Sequence, residues 1–270
     1  MRFTVLTPTY NRAHTLGRVY ESLSAQTFRD FEWVIVDDRS TDGTKELVAS
    51  WKPFFPINYI WQSNSGLFSA YNIGVRLAKG EFVLILDSDD RCIPTALERF
   101  DYHWRQIPDP SRFANVSCLC CRPDGSIVGD PYPADCVDAF TLADQLRLRP
   151  AAEGWGINKT EVLREFPFPE GEKYVPAGLI WNRIRRKYAT RFVNEPLRIY
   201  YDSGSESITS KTAQLRAESP KYSLIYYREL ALSPVPILIR LRSVIAICYI
   251  ALVALEWKLV TSFRKLTRSR

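Results

Sequence analysis

The chain has 270 residues, 46% of them hydrophobic and 24% charged, which suffices for a sizeable core and excludes an intrinsically disordered chain. Its formal charge of +6 sits entirely in residues 234–270, where seven basic residues face one acid, while the rest is balanced. A positive excess confined to a tail argues against nucleic-acid binding. Six cysteines, Cys92, Cys118, Cys120, Cys121, Cys136 and Cys248, match no zinc spacing and read as free thiols. The N-terminus carries no apolar stretch of signal-peptide length, so a cytoplasmic location is expected.

Residues 3–6 form a short apolar run and read as a strand. Helical spacing follows over 15–26, with Leu16, Val19, Tyr20 and Leu23 on one face. A second strand over 31–36 runs into Asp37-Asp38. Ser40-Thr41-Asp42-Gly43-Thr44 then reads as a turn feeding a helix to about Trp51, with Thr41 or Asp42 as N-cap. Residues 57–61 are a third strand, and 68–78 a third helix stopped by Gly80. The fourth strand, 82–86, is apolar throughout, as a parallel strand covered on both faces must be. It leads directly into Asp87-Ser88-Asp89-Asp90. This alternation implies an open parallel sheet with helices on both sides. Ligands bind such sheets outside the carboxyl ends of the strands. Three polar clusters, 7–11, 37–38 and 87–90, are therefore expected on one edge.

The second half is less regular. A strand is expected over 115–121, short helices over 141–149 and 159–166, a helix over 179–188, and short strands over 191–193 and 197–201. Residues 202–207 read as a flexible segment. Residues 244–255 are apolar and lie between basic residues, too short a run to span a bilayer well. They suit an interfacial or re-entrant helix at anionic headgroups, or failing that a core helix or oligomer interface.

Asp87, Asp89 and Asp90 offer hard oxygen ligands for Mg²⁺ or Mn²⁺ at the end of a buried strand. The i, i+2 spacing puts Asp87 and Asp89 on one side of an extended segment.

Thr7-Pro8-Thr9-Tyr10-Asn11-Arg12, Ser24-Ala25-Gln26-Thr27, Val36 to Thr44, and Gly80-Glu81 before Leu86-Asp87-Ser88-Asp89-Asp90 together resemble the family 2 glycosyltransferases. The match covers about residues 1–100 and continues weakly to about 210. The resemblance implies a GT-A fold: an α/β, Rossmann-like, mostly parallel sheet flanked by helices. Residues 1–210 would form that domain (nucleotide half 1–100, acceptor and catalytic half 101–210), and 211–270 a basic, helical, membrane-associating tail. It implies inverting transfer of a sugar from a nucleotide-sugar, a UDP-sugar in particular, to a glycan or lipid-linked acceptor in surface polysaccharide or glycoconjugate synthesis. Such a protein would be peripheral on the inner face of the cell membrane, and a homo-oligomer is an open possibility. Thr7, Pro8, Thr9, Tyr10 and Arg12 would line the nucleotide. Asp38 would accept a base N–H, Asp87 and Ser88 would lie by the ribose, and Asp89 would ligate Mn²⁺ or Mg²⁺.

Two positions depart from the pattern. Tyr71 stands where many members carry an arginine for the phosphates. The acid expected as catalytic base falls at position 177, before the helix containing Leu179-Ile180-Trp181-Asn182-Arg183, and this chain has Ala177. Three readings stay open there: the acid has been replaced, Glu172 or Glu170 takes the role, or the chain is catalytically weak. A nucleotidyltransferase would need a Gly-rich first loop, which Thr7 to Asn11 does not provide. The alternative from another class is a non-catalytic sugar-nucleotide binder or membrane assembly protein.

Overall fold

The computed structural model describes residues 1–63, 65–148, 154–172, 174–201, 216 and 219–268, with side chains as far as Leu255. The chain forms two compact units: Met1–Glu170 with Ile184–Asp202, and Gly171–Arg183 with Ser203–Arg270.

The first unit is built on one sheet. Its strands are β1 (Phe3–Thr9), β2 (Phe31–Asp37), β3 (Ile57–Trp61), β4 (Phe82–Ile85), β5 (Arg91–Cys92), β6 (Phe113–Cys121), β7 (Ile127–Val128), β8 (Cys136–Ala139), β9 (Trp155–Lys159) and β10 (Ala189–Ile199). They run in the order β3-β2-β1-β4-β9-β6-β10-β5, with β7 beside β6 and β8 beside β10. The first four strands are parallel, with Phe3 level with both Phe31 and Phe82. Every residue of β1 and β2 is buried, the pattern of strands covered on both faces. Helices α1 (Ala13–Ser24), α2 (Thr44–Ser50) and α3 (Leu67–Leu77) make the crossovers, and α4 (Ala96–Arg105) follows β5.

Beyond β4 the sheet is mixed, not mostly parallel. β9 runs antiparallel to both β4 and β6, while β10 runs parallel to β6. Sequence periodicity missed β9, whose residues read as loop and helix start, and it missed α4. It also split β10 at Asn194-Glu195-Pro196. The strand continues through that point with a register shift. Asn194 there donates to the carbonyls of Tyr132 and Ala134, which stabilises the irregularity. The remaining short helices, α5 (Leu142–Leu148) and α6 (Thr160–Glu165), lie within a residue or two of their expected ends.

Two local expectations change in mechanism. The residue capping α2 is Gly43, in the left-handed region, while Asp42 accepts from the amide and hydroxyl of Thr44. Gly80 does not cap α3, which ends at Leu77. A Cβ on Gly80 would lie 2.4 Å from backbone atoms of Phe3 and Thr4. Glycine is required for that close approach. The Gly80 amide donates to Thr4 Oγ1 at 2.9 Å, and Thr4 in turn donates to buried Glu32 at 2.7 Å.

The second unit holds the first residues of α7 (Gly178–Lys187), then α8 (Lys221–Leu232) and α9 (Ile237–Arg268). α8 and α9 pack on each other. Arg183 forms a bidentate pair with Glu229 of α8, 2.6 Å at its shortest. The apolar tail run is thus part of a longer helix, of which Ile237–Leu255 is long and apolar enough to cross a membrane. Residues 202–207 lie outside the described residues. Cys92, Cys118, Cys120 and Cys121 are buried and Cys136 and Cys248 exposed, all as free thiols.

Candidate active site

The carboxyl ends of β1, β2 and β4 bring the three polar clusters to one edge, since β1 lies between the other two strands. The loops after β1 and β2 are stitched together. Asp38 N donates to the Thr9 carbonyl at 2.8 Å, Asn11 N to Ser40 Oγ at 2.8 Å, and Thr41 N to Asn11 Oδ1 at 2.8 Å. Asn11 and Arg39 both have positive φ, 51° and 75°. That conformation is uncommon for a side-chain-bearing residue other than Asn or Asp, and here these cross-loop bonds hold it.

The predicted nucleotide residues divide by access. Thr7 and Pro8 are buried in β1, and Thr7 Oγ1 accepts the Trp33 indole N–H at 2.9 Å. The Thr7 side chain therefore braces the sheet through β2. The Thr9 hydroxyl is buried without a partner among the described residues. Tyr10 is 51% exposed and Arg12 partly exposed at the start of α1.

Asp38 is nearly buried and its carboxylate accepts three hydrogen bonds, from Gln62 Nε2 (2.7 Å), Ser65 N (2.8 Å) and Gly66 N (2.9 Å). It therefore fixes the loop leading into α3, a contact the sequence did not announce. Asp37 accepts from Ser40 N at 2.7 Å and from the Tyr59 hydroxyl. Burial, reinforced by that bond, drives the Tyr59 hydroxyl far above its usual range.

The acidic turn after β4 separates its carboxylates by partner. Asp90, by its sequence a third candidate metal ligand, is engaged elsewhere. It is wholly buried, pairs with Arg198 of β10 and accepts the Tyr201 amide at 2.8 Å. Its pKa is raised to about 6 by burial, against the opposing pull of Arg198. Arg198, itself buried, also donates to Asp87 Oδ2 at 2.7 Å. Asp89 is partly buried, and no other described residue donates to its carboxylate. Burial first, and then the neighbouring Asp87 charge, raise its pKa, with the charge of Arg12 opposing. Ser88 between them is buried.

This donor set suits a hard divalent cation. Among the described residues no three His, Cys, Asp or Glu side chains converge on one point. Asp87 and Asp89 can supply two oxygens. Mg²⁺ sites use one or two carboxylates and complete the shell with water and substrate phosphate.

At the Tyr71 position an aromatic cluster replaces the expected arginine. Tyr71 lies edge-on to Phe68, and Phe68 stacks on Phe168 at 4.6 Å. Asn72 clamps the same segment through the amide and carbonyl of Phe168 and the carboxylate of Glu170, 2.7 Å away. Glu170 is half exposed.

The remaining candidates lie in the second unit. Glu172 accepts from Ser219 Oγ at 2.8 Å and Lys221 Nζ at 3.1 Å, and these bonds lower its pKa. Ala177 is exposed just ahead of α7.

Residues 4–109 match the family profile of glycosyl transferase family 2. An uncharacterized glycosyltransferase of Nostoc sp. is 41% identical over 101 residues, 37% of this chain and 31% of that protein. Validoxylamine A glucosyltransferase of Streptomyces hygroscopicus is 42% identical over 89 residues, 32% of this chain and 21% of that protein. The matched segment thus spans less than a third of either relative. Among solved structures, S. aureus TarS in complex with UDP-GlcNAc superposes with a TM-score of 0.69 at 20% identity, over 93% of this chain and 72% of that one. The mannosyltransferase PcManGT of Pyrobaculum calidifontis, in complex with GDP-Man and Mn²⁺, gives 0.60 at 21% identity, over 93% and 73%. Residues 4–109 thus resemble glycosyl transferase family 2, and the chain carries the GT-A fold of these solved structures.

Proposed function

We propose that the chain binds a UDP-sugar with a divalent cation at the acidic turn and serves inverting sugar transfer to a glycan or lipid-linked acceptor. The observation that carries this reading is the pairing at that turn. Arg198 holds Asp87 and Asp90, while Asp89 keeps a carboxylate that no other described residue binds. The donors seen with the similar folds, UDP-GlcNAc in TarS and GDP-Man in PcManGT, support a nucleotide-sugar, and Mn²⁺ in the latter supports a metal. Asp89, with Asp87, would hold Mn²⁺ or Mg²⁺. When bound, that cation supplies positive charge opposite the leaving diphosphate. Asp38 holds Gln62, Ser65 and Gly66, and exposed Tyr10 offers an aromatic face to the base. The basic, apolar tail supports placing transfer in surface polysaccharide synthesis at the inner face of the cell membrane.

The base belongs at position 177 on this reading. An efficient general base has a pKa near the working pH. Glu172, held by Lys221 and Ser219 with its pKa lowered, is poorly suited. Ala177 is exposed, so a carboxylate fits there without a clash. The present chain would then bind donor and turn it over slowly. Ala177 also favours the second reading, a non-catalytic sugar-nucleotide binder.

The test combines calorimetry with UDP and Mn²⁺ and turnover of a UDP-sugar panel on membrane lipid extract. The parent should bind UDP only with metal, Asp89→Ala should bind at least about tenfold more weakly, and Ala177→Glu should raise turnover well above the parent. Metal-independent binding, or none, sinks the proposal. Binding without turnover in Ala177→Glu selects the non-catalytic reading.

A further inference from the structure

The surface of α9 is divided lengthwise. On one side Ser243 is 2% and Ile250 4% exposed, Ser243 Oγ donates back to the Ile239 carbonyl, and the helix packs along α8. On the other side Leu238, Leu241, Ile245, Tyr249, Leu252 and Leu255 are 52 to 67% exposed. At helical spacing these six span roughly a third of the circumference, an arc of about 120°, over about five turns. Arg240 and Arg242 fall at the two margins of that apolar strip, and Arg240 Nε donates to the Ala231 carbonyl in the last turn of α8. The sequence continues with Lys258, Arg264, Lys265, Arg268 and Arg270 against the single acid Glu256.

We infer that α9 is a one-sided interfacial helix, seated on α8 by one face and laid into the surface of an anionic bilayer by the other. Three observations select this occupant. The strip runs along the helix between marginal arginines, the arrangement of a helix lying in the headgroup plane. The charge concentrated in the same segment is complementary to anionic lipid. The third observation argues against crossing. A helix that spans must take its packing partner into hydrocarbon, and α8 carries the Arg183–Glu229 and Lys221–Glu172 ion pairs. A length sufficient to cross is therefore used in the plane of the membrane.

This deepens the membrane placement proposed above but reads independently of it. A chain that binds vesicles without turnover leaves the docking intact. One that turns over donor without binding vesicles overturns the docking alone. The full chain is floated with vesicles of phosphatidylcholine alone or with equal parts of phosphatidylglycerol. Binding should be about tenfold or more tighter on the anionic vesicles and weaken with salt. Leu241→Glu with Leu252→Glu should abolish binding, while Leu77→Glu, exposed on the first unit, should leave it unchanged; circular dichroism checks that each variant is folded. Depth is read separately, with Cys136 and Cys248 replaced by serine. An environment-sensitive thiol dye is placed by Leu241→Cys, Ile245→Cys or Leu252→Cys and quenched by lipids labelled at graded depths. Equal, shallow depth at all three positions is expected. A depth gradient from 241 to 252 means a spanning helix and overturns the inference. So does equal binding to neutral vesicles. A dye shift that appears without vesicles and grows with protein concentration, meaning a second copy covers the strip, overturns it too.

Discussion

At the scale of single residues, Arg198 decides which acid of the turn is left to act. It was invisible in the sequence, because its partner Asp90 lies 108 positions away and an arginine in a strand has no motif of its own. Asp87 and Asp89 were legible because two carboxylates at i, i+2 after an apolar strand form a local pattern. Asp90 belongs to the same run and reads identically, yet its burial sends it to Arg198. Removing one partner of a buried pair leaves an uncompensated charge, typically costing about 3–5 kcal/mol. Arg198→Met should therefore lower stability by about 3 kcal/mol in urea unfolding. Adding Asp90→Asn should recover more than half of that loss, because the stranded charge goes with it. Losses that merely add would show that Arg198 and Asp90 are not coupled in this way.

At the scale of elements, the first half of the sheet could be read because its strands are covered on both faces and leave apolar runs punctuated by turns. The second half could not. β9 is five residues with an interior Gly156, whose absent Cβ lets the backbone of Val116 approach, so neither periodicity nor propensity marks it. β10 carries a proline and an asparagine that would break an ordinary strand, and only side-chain bonds formed in the fold reveal why it continues. Gly80 is the instructive case, since a glycine after a helical run looks like a stop signal while its necessity here comes from a distant strand. A helix-stop glycine tolerates alanine at modest cost, whereas here a Cβ meets β1 backbone at 2.4 Å, where no rotamer can relieve it. Gly80→Ala should cost about 2–3 kcal/mol. A drop below about 1 kcal/mol, the value for a simple backbone-freedom effect, would reject the close-approach account.

At the scale of the whole molecule, β10 brings Glu195 and Arg198 to basic and acidic partners of the first unit, and these pairs shape its response to acid. Glu195 accepts from Arg99 at 2.6 Å and from His103 at 2.7 Å, and the bond from Arg99 is the chief cause of its lowered pKa. Asp90 on the same network of strands is shifted upward to about 6. The two groups act on stability with opposite signs. A carboxyl whose folded pKa lies below the unfolded value adds stability that is fully present above the unfolded value and vanishes as pH falls through the folded one. One whose folded pKa is raised adds stability present at low pH and lost as pH rises toward 6. Between neutrality and pH 5 Asp90 therefore gains stability on acidification. Below about pH 4.5, near the unfolded value of a glutamate, Glu195 loses it. The first unit should be most stable in mildly acid solution, with a falling limb below. Solvent screens the part-exposed Glu195 pair, so its contribution is about 1 kcal/mol. Urea midpoints across this range test the assignment. Glu195→Gln should flatten the acid limb and leave the rise between pH 7 and 5 in place. Asp90→Asn should do the reverse. An acid limb of unchanged depth in Glu195→Gln would assign the acid sensitivity to other carboxylates.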